Sequence, residues 1–89
     1  MVSSFKPCFF GGYNKLDALN AIDGLTQEIY QLENSLSRKE QGKSYGIPPK
    51  APQTDIRKAA WGGFDKDDVD AFISDLRGRS EELRAKLGE

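Results

Sequence analysis

The sequence has 89 residues, 30% of them charged and 37% hydrophobic, with one cysteine, no histidine and a formal net charge of −1. The near-neutral charge excludes a general attraction to nucleic acid, the lone Cys8 excludes an internal disulfide, and the lack of histidine argues against nucleophilic catalysis. Without a secretory pattern or an apolar run near the roughly 20 residues that span a bilayer, we expect a cytoplasmic protein whose membrane contacts are peripheral.

The chain contains an internal repeat. Shifting the sequence by 51 positions places residues 5–15 on residues 56–66 without a gap, and the similarity continues through the segment that follows. The repeat divides the chain into unit 1 (1–38), a linker (39–54) and unit 2 (55–89). Because so short a chain buries little apolar surface, we expect its units to pair with each other or with those of another copy.

Each unit begins with a short aromatic segment that ends in Gly-Gly. Paired glycines permit backbone angles with φ > 0 and predict a tight turn. Asn14 and Asp65 follow as good helix N-caps, and Asp17 and Asp68 place negative charge at the positive end of the helix dipole. The pattern therefore predicts a turn and then a helix in both units.

Both helices carry apolar residues in alternating steps of four and three, the heptad pattern of a coiled coil. In the first helix this seam consists of Ala18, Ile22, Leu25, Ile29, Leu32 and Leu36. In the second helix it consists of Val69, Ile73, Leu76, Leu83 and Leu87, with Ser80 as the one polar intrusion. The predicted fold is therefore all-α, with two helices in a coiled-coil-like pair.

The linker bears on the direction in which the helices run. Its glycines and prolines predict a helix stop and an extended chain. Fully extended, residues 39–55 reach about 56 Å, whereas a first helix of about 24 residues is about 36 Å long. The linker can thus return the chain to its starting end and allow a parallel pair. An antiparallel hairpin, or the same pairing between two chains as a swapped dimer, is also compatible with the sequence.

Charged residues beside the seam discriminate between partners. In a parallel pair Glu28 faces Arg84 and Glu33 faces Arg79, whereas pairing of either unit with a copy of itself opposes like charges. Exposed pairs of this kind contribute only about 0.3 to 0.5 kcal/mol each. They are therefore predicted to select the partner rather than to hold the structure together.

A run of acidic residues opens the second helix. Asp65, Asp67, Asp68 and Asp70 lack the central glycine and the terminal glutamate of a helix-flanked calcium loop. Helix capping and the helix dipole explain them instead. No metal site, cofactor or catalytic residue is expected.

The segment 62–73 resembles the N-terminal module of DivIVA proteins, in which glycine, an aromatic residue and Asp precede a helix that carries Val and Phe. The matching residues here are Gly63, Phe64, Asp65, Val69 and Phe72. The segment 11–22 is a degenerate copy. The resemblance implies a pseudo-dimer of two such modules, acting without catalysis in bacterial cell division or polar growth, at the inner face of the cell membrane near the septum or pole.

The resemblance also implies a functional tip. In that family the loops before two parallel helices meet, and an aromatic residue enters the membrane beside an arginine. The aromatic positions here are Phe10 and Trp61, and glycines occupy the position of the arginine. The membrane-contacting or partner-contacting tip then comprises Phe9, Phe10, Gly11, Gly12, Tyr13, Trp61, Gly62, Gly63 and Phe64. Its basic neighbours are Lys6, Lys15, Arg57, Lys58 and Lys66.

Two functions stay open from the sequence. One is contact with an anionic membrane surface, and the other is an adaptor or regulator that binds division or scaffold proteins without touching lipid, which the missing arginine favours. Tyr13 and Phe64 follow the glycines and are expected to turn inward between the loops. Phe10 and Trp61 precede the glycines and are expected to be exposed.

Overall fold

In the computed structural model, residues 7–8, 11–51 and 55–88 are described. Helices α1 (Lys15–Glu40) and α2 (Lys66–Lys86) pack against each other. A two-stranded antiparallel sheet, made of β1 (Pro7–Cys8) and β2 (Gly63–Phe64), joins the segments that precede them. The all-α prediction is confirmed, and the short sheet is an element that the sequence did not predict.

Both helices begin where the capping residues predicted. The side-chain oxygen of Asn14 accepts a 3.0 Å hydrogen bond from the backbone N–H of Asp17, and that of Asp65 accepts a 3.1 Å bond from Asp68. The two caps have nearly the same backbone, with φ −55° and ψ 126° in the first and φ −59° and ψ 128° in the second. The predicted N-caps are confirmed, and the repeat holds at the level of backbone angles.

The end of α1 lies beyond the predicted boundary of unit 1. The helix continues through Glu40, and Gln41 caps it before Gly42 turns the chain with a φ of 73°. Arg38 and Lys39 lie in its last turn, where basic side chains interact favourably with the negative end of the helix dipole. The boundary at residue 38 therefore falls two residues short of the end of the helix.

The seam residues lie in the interior of the pair. The buried ones are Ala18, Ile22, Leu25, Leu32, Val69, Ser80, Leu83 and Leu87. The half-buried ones are Ile29, Leu36, Ile73 and Leu76. Leu32, Leu83 and Leu87 form a contiguous core against which Ile29 and Leu36 pack, and each buried leucine stabilises the fold by about 1.5 to 3 kcal/mol. Coiled-coil packing along the whole seam stays a prediction.

Contacts between the units follow the same order along both of them. Tyr13, which precedes α1, is hydrogen bonded to Phe64, which precedes α2. At the other end, the Lys39 ammonium donates a 2.9 Å hydrogen bond to the backbone carbonyl of Lys86. The start of one helix thus adjoins the start of the other, and the end adjoins the end. A parallel pair would produce this order of contacts, and the parallel orientation itself stays a prediction.

The linker contacts the helix pair on its way from one helix to the other. The Arg38 guanidinium donates a 2.7 Å hydrogen bond to the carbonyl of Ser44. Further along, the backbone N–H of Ala51 donates a 2.8 Å bond to the carboxylate of Glu28 on α1. Ile56 then lies in a groove with Ala21 of α1 and Ile73 of α2. The described part of the linker therefore packs on the helices, as a return to the starting end requires.

Candidate functional site

The segments before the two helices form one structure, which we call the tip. At its centre Tyr13 and Phe64 exchange two backbone hydrogen bonds, of 2.9 Å and 3.0 Å. These two residues are equivalent under the shift of 51 positions that relates the units. Because a residue pair that exchanges its own hydrogen bonds can lie on a twofold axis, this pair marks the pseudo-twofold axis of the chain.

The pairings on either side of that axis repeat each other. Pro7 pairs with Phe64, and under the same shift of 51 positions this becomes the bridge between Lys58 and Tyr13. The next pairs obey the same rule: Cys8 is paired with Gly63, and the Ala59 N–H donates a 2.7 Å bond to the carbonyl of Gly12. Each unit therefore supplies a short strand that pairs with the glycine-aromatic segment of the other unit.

The first glycine of each pair makes the turn: Gly11 in unit 1 and Gly62 in unit 2 have φ values of 72° and 75°, in the left-handed region that favours glycine. In unit 2 the second glycine is needed for space, because a Cβ on Gly63 would collide with the backbone carbonyl of Tyr13. The predicted turn of unit 2 is thus made by a turning glycine and a close-approach glycine.

Tyr13 and Phe64 are half-buried at the tip. The ammonium of Lys66 lies 5.7 Å from the Tyr13 ring centroid, and that of Lys15 lies 5.5 Å from the Phe64 ring centroid, another pair of equivalent contacts. The Tyr13 hydroxyl also donates a 2.7 Å hydrogen bond to Asp70, and this bond raises the pKa of the tyrosine. Both rings are half-buried, and their inward turn between the loops stays a prediction.

Trp61 is exposed to solvent at the tip. Its exposed fraction is 77%, the highest among the exposed large apolar side chains of the described residues. Leu16 in the first turn of α1 is 65% exposed and adds apolar surface to the same end of the molecule. Sequence reasoning did not single out Leu16, although its position off the seam at a helix start was a usable signal. Within the described residues, this end of the molecule therefore exposes the aromatic ring of Trp61 and the side chain of Leu16.

Arg57 of unit 2 forms an ion pair with Asp17 of unit 1. Its guanidinium donates to both carboxylate oxygens of Asp17, at 2.7 Å and 3.1 Å, and its backbone N–H donates a third bond of 3.2 Å. These bonds hold the pKa of Asp17 below its ordinary range and raise that of Arg57. Arg57 was predicted as a basic neighbour of the tip, and it lies there as a clasp between the units.

The charge around the tip is acidic on balance. Residues 11–17 and 55–70 carry four basic and six acidic side chains. Lys58 is exposed, whereas Lys66 is half-buried against the Tyr13 ring. Within the described residues, no group of three or more carboxylate or thiol side chains is arranged to hold a metal ion. Of the predicted tip, Lys6, Phe9 and Phe10 lie outside the described residues.

A second polar cluster lies between the middle of α1 and the C-terminal part of α2, and we call it the hub. Glu28 accepts hydrogen bonds from the Ser80 hydroxyl, from Arg84 at 2.8 Å and 3.0 Å, and from the Ala51 backbone. Glu28 is 5% exposed and Arg84 4%. Burial alone would raise the pKa of Glu28, but the hydrogen bonds from Ser80, Ala51 and Arg84 outweigh it, so the pKa lies below its ordinary value.

The hub corrects one sequence prediction and confirms another. The pairings of Glu28 with Arg84 and of Glu33 with Arg79 are confirmed, at 2.8 Å and 3.3 Å. The expectation that both pairs are exposed is wrong for the first, because the small Ser80 lets the carboxylate reach the seam and the linker covers it. Every buried side-chain nitrogen or oxygen of the described residues has a hydrogen-bond partner, and this includes the buried polar side-chain atoms of the hub.

Neither described helix is long and apolar enough to cross a bilayer. The chain matches no protein-family model, no curated protein and no solved structure. The DivIVA resemblance therefore rests on the residues of the repeat itself.

Proposed function

We propose that this chain is a non-catalytic, DivIVA-like module of bacterial cell-division or polar-growth machinery that contacts a membrane surface through its tip. The observation that carries the proposal is the 77% exposure of Trp61 at one end of a paired-helix rod. The glycine-aromatic-Asp turn before each helix, which resembles the DivIVA module, supports the same reading. Trp61 occupies the position at which that family places its membrane-inserting aromatic residue.

The strength of such a contact follows from the apolar area at the tip. Removing one large apolar side chain from water stabilises the bound state by about 1.5 to 3 kcal/mol. That is too little for stable anchoring by one copy, because even a single acyl chain binds membranes only reversibly. The proposed contact is therefore weak for a single chain and becomes stable through several copies or through a partner that is already at the membrane.

The alternative function is an adaptor that binds a division or scaffold protein through the same tip. A specific observation favours it: the described tip residues are net acidic, and the Arg57 guanidinium is bonded to Asp17. An acidic tip is repelled by an anionic lipid surface and is attracted to a basic protein surface. In both functions the protein acts in the cytoplasm, and in the first it acts at the inner face of the cell membrane.

Liposome co-sedimentation separates the two functions. The wild-type chain, Trp61→Ala and the matched control Tyr30→Ala, each displayed in several copies on a small multimeric carrier so that the weak contact of one copy becomes measurable, are mixed with zwitterionic and with anionic vesicles. Tyr30 is 73% exposed on α1 and lies outside the tip, so its removal deletes similar aromatic surface elsewhere. We expect the wild type and Tyr30→Ala to sediment alike and Trp61→Ala to lose most of the bound fraction. Wild-type protein that stays in solution with both vesicle types would contradict membrane contact and leave the adaptor.

A further inference from the structure

The hub is the place where the two units stop being equivalent. The shift of 51 positions that maps the tip of one unit onto the other maps hub residues onto different chemistry. Glu28 corresponds to Arg79, Ser80 corresponds to Ile29, and Arg84 corresponds to Glu33. The equivalent ion pair, between Arg79 and Glu33, has side chains that are 45% and 51% exposed. The buried cluster therefore exists once, on one side of the pseudo-twofold axis.

The hub forms only when unit 1 pairs with unit 2, because each unit supplies a different part of it. If unit 1 paired with unit 1 of another copy, Glu28 would face Glu33 and an isoleucine would occupy the place of Ser80. The buried carboxylate would lose the donors that Ser80 and Arg84 supply and would meet a second carboxylate. A buried charge without its partner is strongly unfavourable. Pairing of unit 2 with unit 2 is unfavourable in the same way, because Arg84 would face Arg79.

Ser80 makes this discrimination sharper than charge alone. It occupies a seam position, where an apolar side chain would add packing, and it is 5% exposed. Its hydroxyl donates to Glu28, and its small side chain leaves room for the carboxylate between the helices. A single polar residue at a seam position is a known means of fixing partner and register at some cost in stability.

We propose that the hub is a pairing lock. Unit 1 accepts a helix that presents serine and arginine four positions apart, as Ser80 and Arg84 do, and rejects a second copy of itself. The chain therefore closes unit 1 on unit 2, within one molecule or by exchange with another copy, and does not form dimers of like units. The proposal is independent of whether the tip contacts lipid or protein.

A thiol reporter in the chain of 89 residues tests the lock. In a Cys8→Ser background, Leu36→Cys places one thiol at the end of the seam, where Leu36 packs against the core that contains Leu87. Pairing of like units brings two such thiols together across the seam, whereas pairing of unlike units sets each thiol against Leu87. Oxidation followed by a non-reducing gel then measures like-unit dimers directly.

The lock is removed by Glu28→Leu/Ser80→Ile/Arg84→Leu, which replaces the hub with apolar side chains. We expect at least a tenfold increase in disulfide-linked dimer over the intact hub at equal protein concentration, a factor of the size that about 1.4 kcal/mol produces. The matched control is Glu33→Leu/Arg79→Leu, which deletes the same charges from the exposed pair. We expect it to raise the dimer yield less than threefold, because exposed pairs contribute about 0.3 to 0.5 kcal/mol.

Three outcomes would overturn the proposal. The first is an equal dimer yield with and without the hub. The second is an equal rise in the control, since the burial of the hub would then be irrelevant. The third is loss of helical circular dichroism in the hub-deleted variant, because the hub would then be required for folding rather than for the choice of partner. A Leu36→Cys/Leu87→Cys chain, which reports unlike pairing, is expected to give a cross-link in every background.

Discussion

The tip keeps the pseudo-twofold symmetry of this chain, whereas the hub breaks it. At the tip, the backbone pairing at Tyr13 and Phe64 and the lysine-ring contacts recur under the shift of 51 positions. At the hub the shift converts a buried acid into a base and a serine into an isoleucine. The comparison teaches that a duplicated unit can keep its shape through backbone pairing while its identity is carried by a few buried side chains.

The difference has a physical origin in the groups that make the contacts. Every residue has a backbone C=O and every residue except proline a backbone N–H, so loop pairing through these groups tolerates the divergence between Cys8 and Ala59, and that between Pro7 and Lys58 wherever the carbonyl makes the bond. A buried carboxylate tolerates fewer changes in its neighbours, because it is stable only where side chains or backbone groups donate hydrogen bonds to it. The tip should therefore be sensitive to changes of backbone space, and the hub to changes of charge.

The largest effect is expected for Glu28→Ala. The substitution removes the carboxylate that receives Arg84, Ser80 and the Ala51 backbone while the guanidinium stays buried. Removing one partner of a buried ion pair destabilises a protein by about 3 to 5 kcal/mol. Chemical denaturation monitored by circular dichroism measures the loss in free energy of unfolding.

The control for this prediction is Glu33→Ala, which breaks the equivalent pair on the exposed side. We expect a change of less than about 0.5 kcal/mol, because exposed ion pairs contribute little. Equal losses in the two variants would show that burial of the hub does not set its energetic weight, and the contrast between the two sides of the axis would fail.

The next largest effect is expected for Gly63→Ala at the tip. A Cβ at this position would meet the Tyr13 carbonyl and the Ala59 side chain, so the loops must move apart. Forcing atoms into a packed site costs about 1 to 3 kcal/mol. The matched variant is Gly62→Ala, whose Cβ would meet nothing within 4 Å but whose φ of 75° strains an L-residue, at a cost of about 1 to 2 kcal/mol. A smaller loss for Gly63→Ala than for its neighbour would contradict the close approach of the two loops.

Much of this architecture is predictable from the sequence, and the exceptions have physical causes. The caps at Asn14 and Asp65, the buried seam and the two ion-pair partners follow from local patterns with a helical period. The sheet of β1 and β2 does not, since strands of two residues have no periodicity to detect. Burial of Glu28 does not either, because it needs the Ala51 backbone from the linker, a contact across 23 positions. Local signals predicted the elements, and tertiary contacts decided the chemistry between them.

Acid should destabilise the folded chain by protonating the carboxylate of Glu28 in the hub. The pKa of Glu28 is below its ordinary value of 4.5 in the folded protein. The unfolded chain therefore takes up the proton first, so that the stabilisation is complete above about pH 4.5 and is lost as the pH falls through the folded-state value. Asp17, whose pKa the Arg57 clasp lowers from 3.8, contributes with the same sign.

Denaturation curves between pH 6 and pH 3 measure this dependence, and Glu28→Gln separates the two carboxyls. The glutamine variant starts from a lower stability at neutral pH and should show a shallower decline on acidification, with a remaining slope to which Asp17 contributes. An unchanged slope in Glu28→Gln would mean that the hub carboxylate binds protons equally in the folded and unfolded states.

The smallest effect, and the only favourable one, is expected where neither tip nor hub intervenes. Gly24 lies in the interior of α1, and a Cβ there would meet nothing within 4 Å. Glycine in a helix interior costs about 1 kcal/mol relative to alanine through backbone entropy. Gly24→Ala should therefore stabilise the chain by about 0.5 to 1 kcal/mol, a rise in Tm of about 2 to 8 °C for a domain of this size. Gly78→Ala in α2 offers the same open space and should give the same gain, because a Cβ that meets no neighbour changes only the helix propensity of its position. A loss of stability in only one of the two would reveal an additional contact that distinguishes the units outside the hub.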